Sequence, residues 1–150
     1  KANLARKPQG NDRDQVKAIY AGVCDLSIGN HYYYFKMLNN EEQKIWLEKA
    51  TIVFPNQKDR GTHVNISGIA LLKESHREKS EKLLDFLVSQ KAQGIYANDN
   101  NEFPVSPEVP LSDGVNKLAG GAKFDNIDLL KIAENRKAVV NILNKINYDE

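Results

Sequence analysis

The stretch VCDLSIGNHYYYFKML, at positions 23–38, carries the pattern that decides the fold class. Apolar residues at positions 24, 26 and 28 alternate with polar ones, which is the period-two signature of a β-strand with one buried face. Gly29 and Asn30 interrupt that pattern, and YYYFKML then predicts a short helix ending near Asn39 and Asn40. The three tyrosines are therefore expected at a strand-to-helix turn.

A helix is predicted before this strand. Asn11 or Asp12 can cap it, the apolar residues at positions 16, 19 and 20 follow helical spacing, and Gly22 suits a left-handed stop. The predicted helix covers roughly residues 12–21. A helix followed by a strand favours an α/β fold.

Similar patterns continue on the C-terminal side. EEQKIWLEKA predicts a helix and ATIVFP a strand halted by Pro55, while the mostly apolar residues 62–72 predict a strand buried on both faces of a mostly parallel sheet. Ser75 and Glu78 form the S-x-x-E capping box of another helix, and Ser89 can cap the next one. A loop with three prolines follows, and one or two amphipathic helices come last.

The composition argues against several classes of function. The chain has 150 residues, of which 41% are hydrophobic, and its formal net charge of +1 gives no reason to expect nucleic acid or a membrane surface as a partner. No apolar run approaches the roughly 18 residues of a transmembrane helix, so no membrane insertion is expected. Cys24 is the single cysteine, and no nucleophile with a neighbouring base is visible. The sequence therefore predicts a protein that is not an enzyme.

Three consecutive tyrosines allow two interpretations. They could be packing residues, because tyrosine carries a large apolar ring with a polar tip. Alternatively, ionised phenolates are anionic oxygen ligands suited to Fe(III), and a trivalent cation would itself favour loss of their protons. Consecutive helical residues point about 100° apart. Two neighbouring phenols are therefore expected to converge on one ion only where the backbone is irregular.

Three ordered motifs resemble one known family. The runs ANLARKPQGNDRDQVKAIYAGVCDLSIGNHYYYFKML, IVFPNQKDRGTHVNISGIALLK and LLDFLVSQKAQGIYANDNNEFPVSP are similar to the C-terminal half of the ferric iron-binding periplasmic proteins of bacterial iron-uptake ABC transporters. The resemblance extends over nearly the whole chain. It implies the C-terminal portion of a two-lobed type II periplasmic binding protein, an α/β fold with mixed, mostly parallel sheets flanked by helices.

The resemblance also implies a metal site. The adjacent tyrosine ligands of the family fall on Tyr32 and Tyr33, which would bind Fe(III). Tyr34 occupies a position that varies in the family, and we expect it to pack or to lie just outside the ligands. His31 departs from the small residue, often Thr, expected there; it could hydrogen-bond a phenolate, cap the helix or be structural. Arg60 could bind a synergistic anion such as carbonate, or be an exposed turn charge.

The resemblance divides the chain into four parts. Residues 1–61 would form the second half of the tyrosine-bearing lobe, residues 62–72 the crossover strand, residues 73–110 the return into the partner lobe, and residues 111–150 a loop and C-terminal helices assigned to neither lobe. Further iron ligands are expected from segments before Lys1, so we expect a fragment with half the binding site. Exposed strand edges would then favour association with another chain.

These expectations predict the periplasmic substrate-binding component of an ABC importer, which captures Fe(III) through adjacent tyrosinates and delivers it to a membrane permease. A second hypothesis keeps the fold but assigns a small organic or oxyanion ligand, with the tyrosines as hydrogen-bond or stacking groups. A third is an enzyme that uses tyrosine as a general acid, for which no partner base is visible. A fourth is a purely structural interaction module.

Overall fold

The computed structural model describes residues 2–148, and within them six α-helices and one 3₁₀ helix follow one another. In chain order the elements are α1 (Asp12–Tyr20), α2 (His31–Leu38), the 3₁₀ helix (Lys44–Lys49), α3 (Arg77–Val88), α4 (Gln90–Asp99), α5 (Asp113–Ala119) and α6 (Leu129–Lys145). The chain divides into two compact units. The first comprises the residues up to His63 and those from Phe124 onward, and the second is Val64–Lys123.

Helix α1 begins and ends where the sequence predicts. The side chain of Asn11 accepts hydrogen bonds from the first-turn amides of Arg13 and Asp14, and the Asp14 carboxylate accepts one from the Asn11 amide, which completes a capping box. Gly22, with φ of 72°, follows the last turn in the left-handed conformation that glycine adopts without a steric penalty. Both predicted signals are confirmed.

In the first unit, α1, α2 and the 3₁₀ helix pack on one another around a small core that includes Ala18, Phe35 and Met37. The helix predicted for EEQKIWLEKA forms only in part, as the 3₁₀ helix, and it starts later than expected. The reason is local: the Asn40 side chain accepts hydrogen bonds from the amides of Glu42 and Gln43. Such an Asx turn diverts the backbone from the helical path.

In the second unit, α3 packs against α4, and Ser89 links them. The Ser89 hydroxyl accepts a hydrogen bond from the Ala92 amide, which confirms the predicted cap of α4. The predicted capping box of Ser75 and Glu78 is wrong, because His76 is the N-cap of α3 and its side chain makes no capping hydrogen bond. The sequence predicts the helix correctly but not the chemistry of its first turn.

The predicted strands do not form a sheet among residues 2–148. The backbone at 24–28, at 51–55 and along the expected crossover strand 62–72 has no ladder of inter-strand hydrogen bonds; the pairing described is one isolated parallel bridge between Thr62 and Phe124. Leu26 and Ile28, predicted to face a core, are 81% and 92% exposed. A strand needs a neighbouring backbone to satisfy its polar groups. The mixed, mostly parallel sheets of the predicted fold class are therefore not confirmed.

Within residues 2–148, no helix combines the length and the apolar character needed to cross a bilayer.

Candidate metal centre

The tyrosine run lies in the first turn of α2. Asn30 is the N-cap residue in an extended conformation, and the Tyr33 amide donates a hydrogen bond to its carbonyl oxygen at 3.3 Å. Phe35 and Met37 are buried in the next turn and anchor α2 in the core of the first unit. The first turn of α2 carries no acidic side chain, so the partial positive charge of this helix end is not offset within α2 itself.

The rings of Tyr32 and Tyr33 lie side by side. Their centroids are 4.6 Å apart, their planes are tilted by 42°, and both side chains are half-buried. Both residues belong to the helix, so the ring contact forms on regular backbone. The convergence of the two phenol oxygens on one ion stays a prediction. The phenol rings lie far enough from the backbone to approach each other from adjacent helical positions. The arrangement places two phenol rings in contact at a helix start.

The two neighbouring residues of the run make ring contacts. The Tyr34 ring packs edge-on against Phe35 with centroids 5.7 Å apart. The His31 ring lies edge-on to Tyr32 at 5.7 Å and to Phe35 at 6.3 Å. Both geometries are the T-shaped type that aromatic rings favour. Their roles next to a metal stay predictions. Of the two, His31 contacts the tyrosine pair, through Tyr32, whereas Tyr34 contacts Phe35.

Two cationic side chains lie over the tyrosine rings. The Arg13 guanidinium carbon is 5.6 Å from the centre of the Tyr33 ring, and the Lys36 ammonium is 5.6 Å from the centre of the Tyr32 ring. Each cation is within the range of attraction by the negative face of an aromatic ring. Arg13 is the second residue of α1, and the local sequence carries no signal for this contact with α2.

Asp12, predicted as a possible cap of α1, reaches the start of α2. Its Oδ1 atom accepts hydrogen bonds from the Asn30 amide at 2.6 Å and from the Asn30 side-chain Nδ2 at 3.1 Å. This contact joins two segments that are distant in the sequence. The local pattern of residues around Asp12 contains no signal for it.

The side chain of Arg60, predicted as a possible anion ligand, lies next to a carboxylate. Its Nε atom lies 3.6 Å from Oδ2 of Asp125, which is 12% exposed, whereas the Arg60 side chain is 61% exposed. Within residues 2–148, the described contacts of Arg60 are with acidic side chains and not with the tyrosines. An anion-binding role for Arg60 stays a prediction, and an anion would have to compete with Asp125.

Other metal-binding side chains do not gather in the part of the chain that the structure describes. Within residues 2–148, no group of three or more His, Cys, Asp or Glu side chains is arranged to hold a metal ion. The tyrosine pair is thus the candidate that the described residues offer. Two phenolates would leave most positions around a ferric ion to other ligands.

Comparisons with known proteins agree with the resemblance to ferric iron-binding proteins that the sequence indicates. Residues 16–135 match the profile of a family described as bacterial extracellular solute-binding protein. Iron uptake protein A1 of Synechocystis sp. is 39% identical over 98% of this chain, which spans 41% of that relative. The crystal structure of Pasteurella haemolytica apo ferric ion-binding protein A has a TM-score of 0.92 at 49% identity; the match covers 99% of this chain and 47% of that one.

A third similar protein was solved with ligands. It is a Trichodesmium protein in complex with iron and citrate, which has a TM-score of 0.88 at 34% identity and matches over 97% of this chain and 47% of its own. The resemblance to ferric iron-binding proteins is confirmed. The chain spans under half the length of each of these three proteins.

Proposed function

The chain belongs to the family of bacterial extracellular solute-binding proteins, and from this membership we propose that it takes part in capturing Fe(III) through the phenolates of Tyr32 and Tyr33. The captured ion would be delivered to the membrane permease of an ABC importer. The observation that carries the proposal is the contact of the two phenol rings, 4.6 Å between centroids, in the first turn of α2.

The chemistry of the pair supports a hard, highly charged cation. Phenolate oxygen is a hard anionic ligand, and Fe(III) would stabilise the deprotonated form as bound metal ions do for water and thiols. The helix start adds a partial positive charge that also favours phenolate. The similar Trichodesmium protein was solved with iron and citrate. We therefore expect other protein side chains, a small anion such as carbonate or citrate, or both, to fill the remaining coordination positions.

The expected setting follows from the family and the composition. An extracellular solute-binding protein in a bacterium would work in the periplasm, and a permease would be its partner there. The net charge of +1 supports neither nucleic acid nor an anionic membrane as a further partner. Binding and release, without a chemical reaction, would be the activity, so we do not propose an enzyme.

The predicted lobe boundaries stay part of this proposal. They divide the chain into residues 1–61, 62–72, 73–110 and 111–150. The division of the described chain after His63 supports a boundary near the start of the expected crossover segment. Association with another polypeptide also stays a proposal. It is supported by the exposed apolar side chains along the extended segments.

The proposal is tested on the longest form of the protein that its gene encodes. A ferric salt of a weak chelator is added, and the visible spectrum is followed for a phenolate-to-iron charge-transfer band. We expect the band in the wild type and in a Tyr34→Phe control, and its loss in a double Tyr32→Phe, Tyr33→Phe variant. A wild type without the band, or a double variant that keeps it unchanged, would overturn the proposal.

One observation favours a second candidate ligand, a small organic anion or oxyanion. Arg13 and Lys36 place two positive charges over the tyrosine rings, and side-chain cations are suited to bind a carboxylate or phosphate. Thermal-shift measurements with citrate, phosphate and a ferric salt distinguish the two candidates. Stabilisation by an anion alone, with no effect of iron, would favour the second.

A further inference from the structure

A carboxylate of α1 holds the start of α2. The Asp12 Oδ1 atom accepts two hydrogen bonds from Asn30, one from its backbone amide at 2.6 Å and one from its side-chain Nδ2 at 3.1 Å. Both residues are partly buried. A hydrogen bond from a neutral donor to a charged carboxylate is roughly twice as strong as one between neutral groups. This pair is therefore well suited to fix the position of Asn30.

The cap of α1 uses other residues. The Asn11 side chain accepts from the amides of Arg13 and Asp14, and Asp14 accepts from the Asn11 amide. Helix α1 thus has a complete capping box that does not involve the Asp12 carboxylate. The carboxylate of Asp12 remains available for α2.

The residue that donates to the Asp12 carboxylate is Asn30, the N-cap of α2. Asn30 makes no side-chain capping hydrogen bond to its own helix, although asparagine is among the favoured capping residues. Its side-chain amide donates to Asp12 instead. A Cβ atom added to Gly29 would lie 3.2 Å from the Asp12 Oδ1 atom, so the two segments approach closely here. The next residue after Asp12, Arg13, lies over the Tyr33 ring.

We propose that Asp12 is a positioning residue for the tyrosine pair. By holding Asn30 it fixes where α2 begins relative to α1, and so it fixes the two phenol rings that stand in the first turn. Groups outside the direct ligands that orient a metal site commonly change metal affinity by about 10- to 100-fold when removed. This inference rests on the proposed ferric site, and it adds a residue that does not touch the metal.

Three variants of the longest encoded form separate this role from general stability. Asp12→Ala removes both hydrogen bonds to Asn30. Asp12→Asn keeps an Oδ1 acceptor in place and should rescue the geometry. Asp14→Ala is the matched control, because it removes a first-turn carboxylate of the same helix whose hydrogen bond stays within the α1 cap.

The readouts are the wavelength of the charge-transfer band, competition for iron by EDTA, and hydrogen exchange of the Asn30 amide without iron. We expect Asp12→Ala to weaken iron binding by about 10-fold or more, to move the band, and to speed exchange at Asn30. Asp12→Asn should stay within about threefold of the wild type. Asp14→Ala should lower the melting temperature and leave the band in place.

The outcomes distinguish this inference from the proposed function. A wild type without a ferric band overturns the proposed function, and with it the role of Asp12. A wild type with the band, together with an Asp12→Ala variant of unchanged affinity and wavelength, overturns this inference alone. Equal losses of affinity in Asp12→Ala and Asp14→Ala would also overturn it, since they would indicate a shared effect on α1.

Discussion

The rings of Tyr32 and Tyr33 lie beside each other although adjacent helical residues point about 100° apart. Of the two cations over these rings, one could be predicted from the sequence and the other could not. Lys36 is one helical turn after Tyr32, so its place over that ring follows from the spacing of four residues. The place of Arg13 over Tyr33 depends on how α1 packs against α2. That contact could not be predicted from the local sequence.

The first prediction concerns the two tyrosines singly. If both phenolates bind the same ion, Tyr32→Phe and Tyr33→Phe should each weaken ferric binding by at least about 100-fold, because removing groups that only support a site costs about 10- to 100-fold. Each variant should also lose part of the charge-transfer absorbance. Iron affinity is measured by competition with EDTA.

Tyr34→Phe is the control for these variants, because it removes a hydroxyl one position further along and keeps the ring that packs on Phe35. We expect it to bind iron within about threefold of the wild type. A Tyr33→Phe variant with unchanged affinity would show that the ring contact with Tyr32 is packing and not shared coordination.

Among the structural elements, the helix caps could be predicted best from the sequence. A cap is decided by a few consecutive residues, so the capping box of α1, the stop at Gly22 and the Ser89 cap of α4 could all be predicted. Ser75 has the same sequence signal, yet α3 starts after His76 without a side-chain cap. The pattern identifies candidates, and the path of the backbone before the helix decides among them.

This difference gives a second prediction. Ser89→Ala should lower the free energy of unfolding by about 1 kcal/mol, because it leaves the Ala92 amide without its capping acceptor. Ser75→Ala, which removes a hydroxyl from a cap that does not form, should change it by less than about 0.5 kcal/mol. Urea unfolding followed by circular dichroism measures both values. Equal effects of the two substitutions would contradict the assignment of the caps.

Strands were predicted from the same residues but depend on a different requirement. Alternating or continuous apolar residues indicate which face of an extended segment is to be buried. They do not indicate which backbone will lie alongside it. The segments at 24–28 and 62–72 have the expected patterns, and among residues 2–148 they lack the neighbours that would make them strands, apart from the single bridge between Thr62 and Phe124. The helices of the tyrosine site form without such neighbours, because the backbone hydrogen bonds of a helix join residues of that same helix.

On the scale of the whole molecule, the buried cores are small and the exposed apolar surface is large. The fully buried side chains are mainly alanine and valine with Phe35 and Met37, whereas many large apolar residues of α3, α6 and the extended segments are exposed. Large exposed apolar surfaces indicate sites of association. Because the chain spans under half the length of its relatives, further polypeptide of the kind those relatives contain would be suited to cover them.

The third prediction follows from the exposed segment that begins at Val64. Ile66 and Ile69 are 57% and 59% exposed on a backbone without strand partners, which is a surface prone to edge pairing. The 150-residue chain alone should therefore sediment with a mass above its monomer value of 16.9 kDa, increasingly so at higher concentration. Ile66→Lys with Ile69→Lys should return it towards the monomer, because it removes the exposed apolar side chains that association would bury and also adds charge to the edge. Asn65→Lys with Ser67→Lys, which adds the same charge at polar positions, should restore the monomer less. A wild-type chain that sediments as a monomer at every concentration would exclude association through this segment.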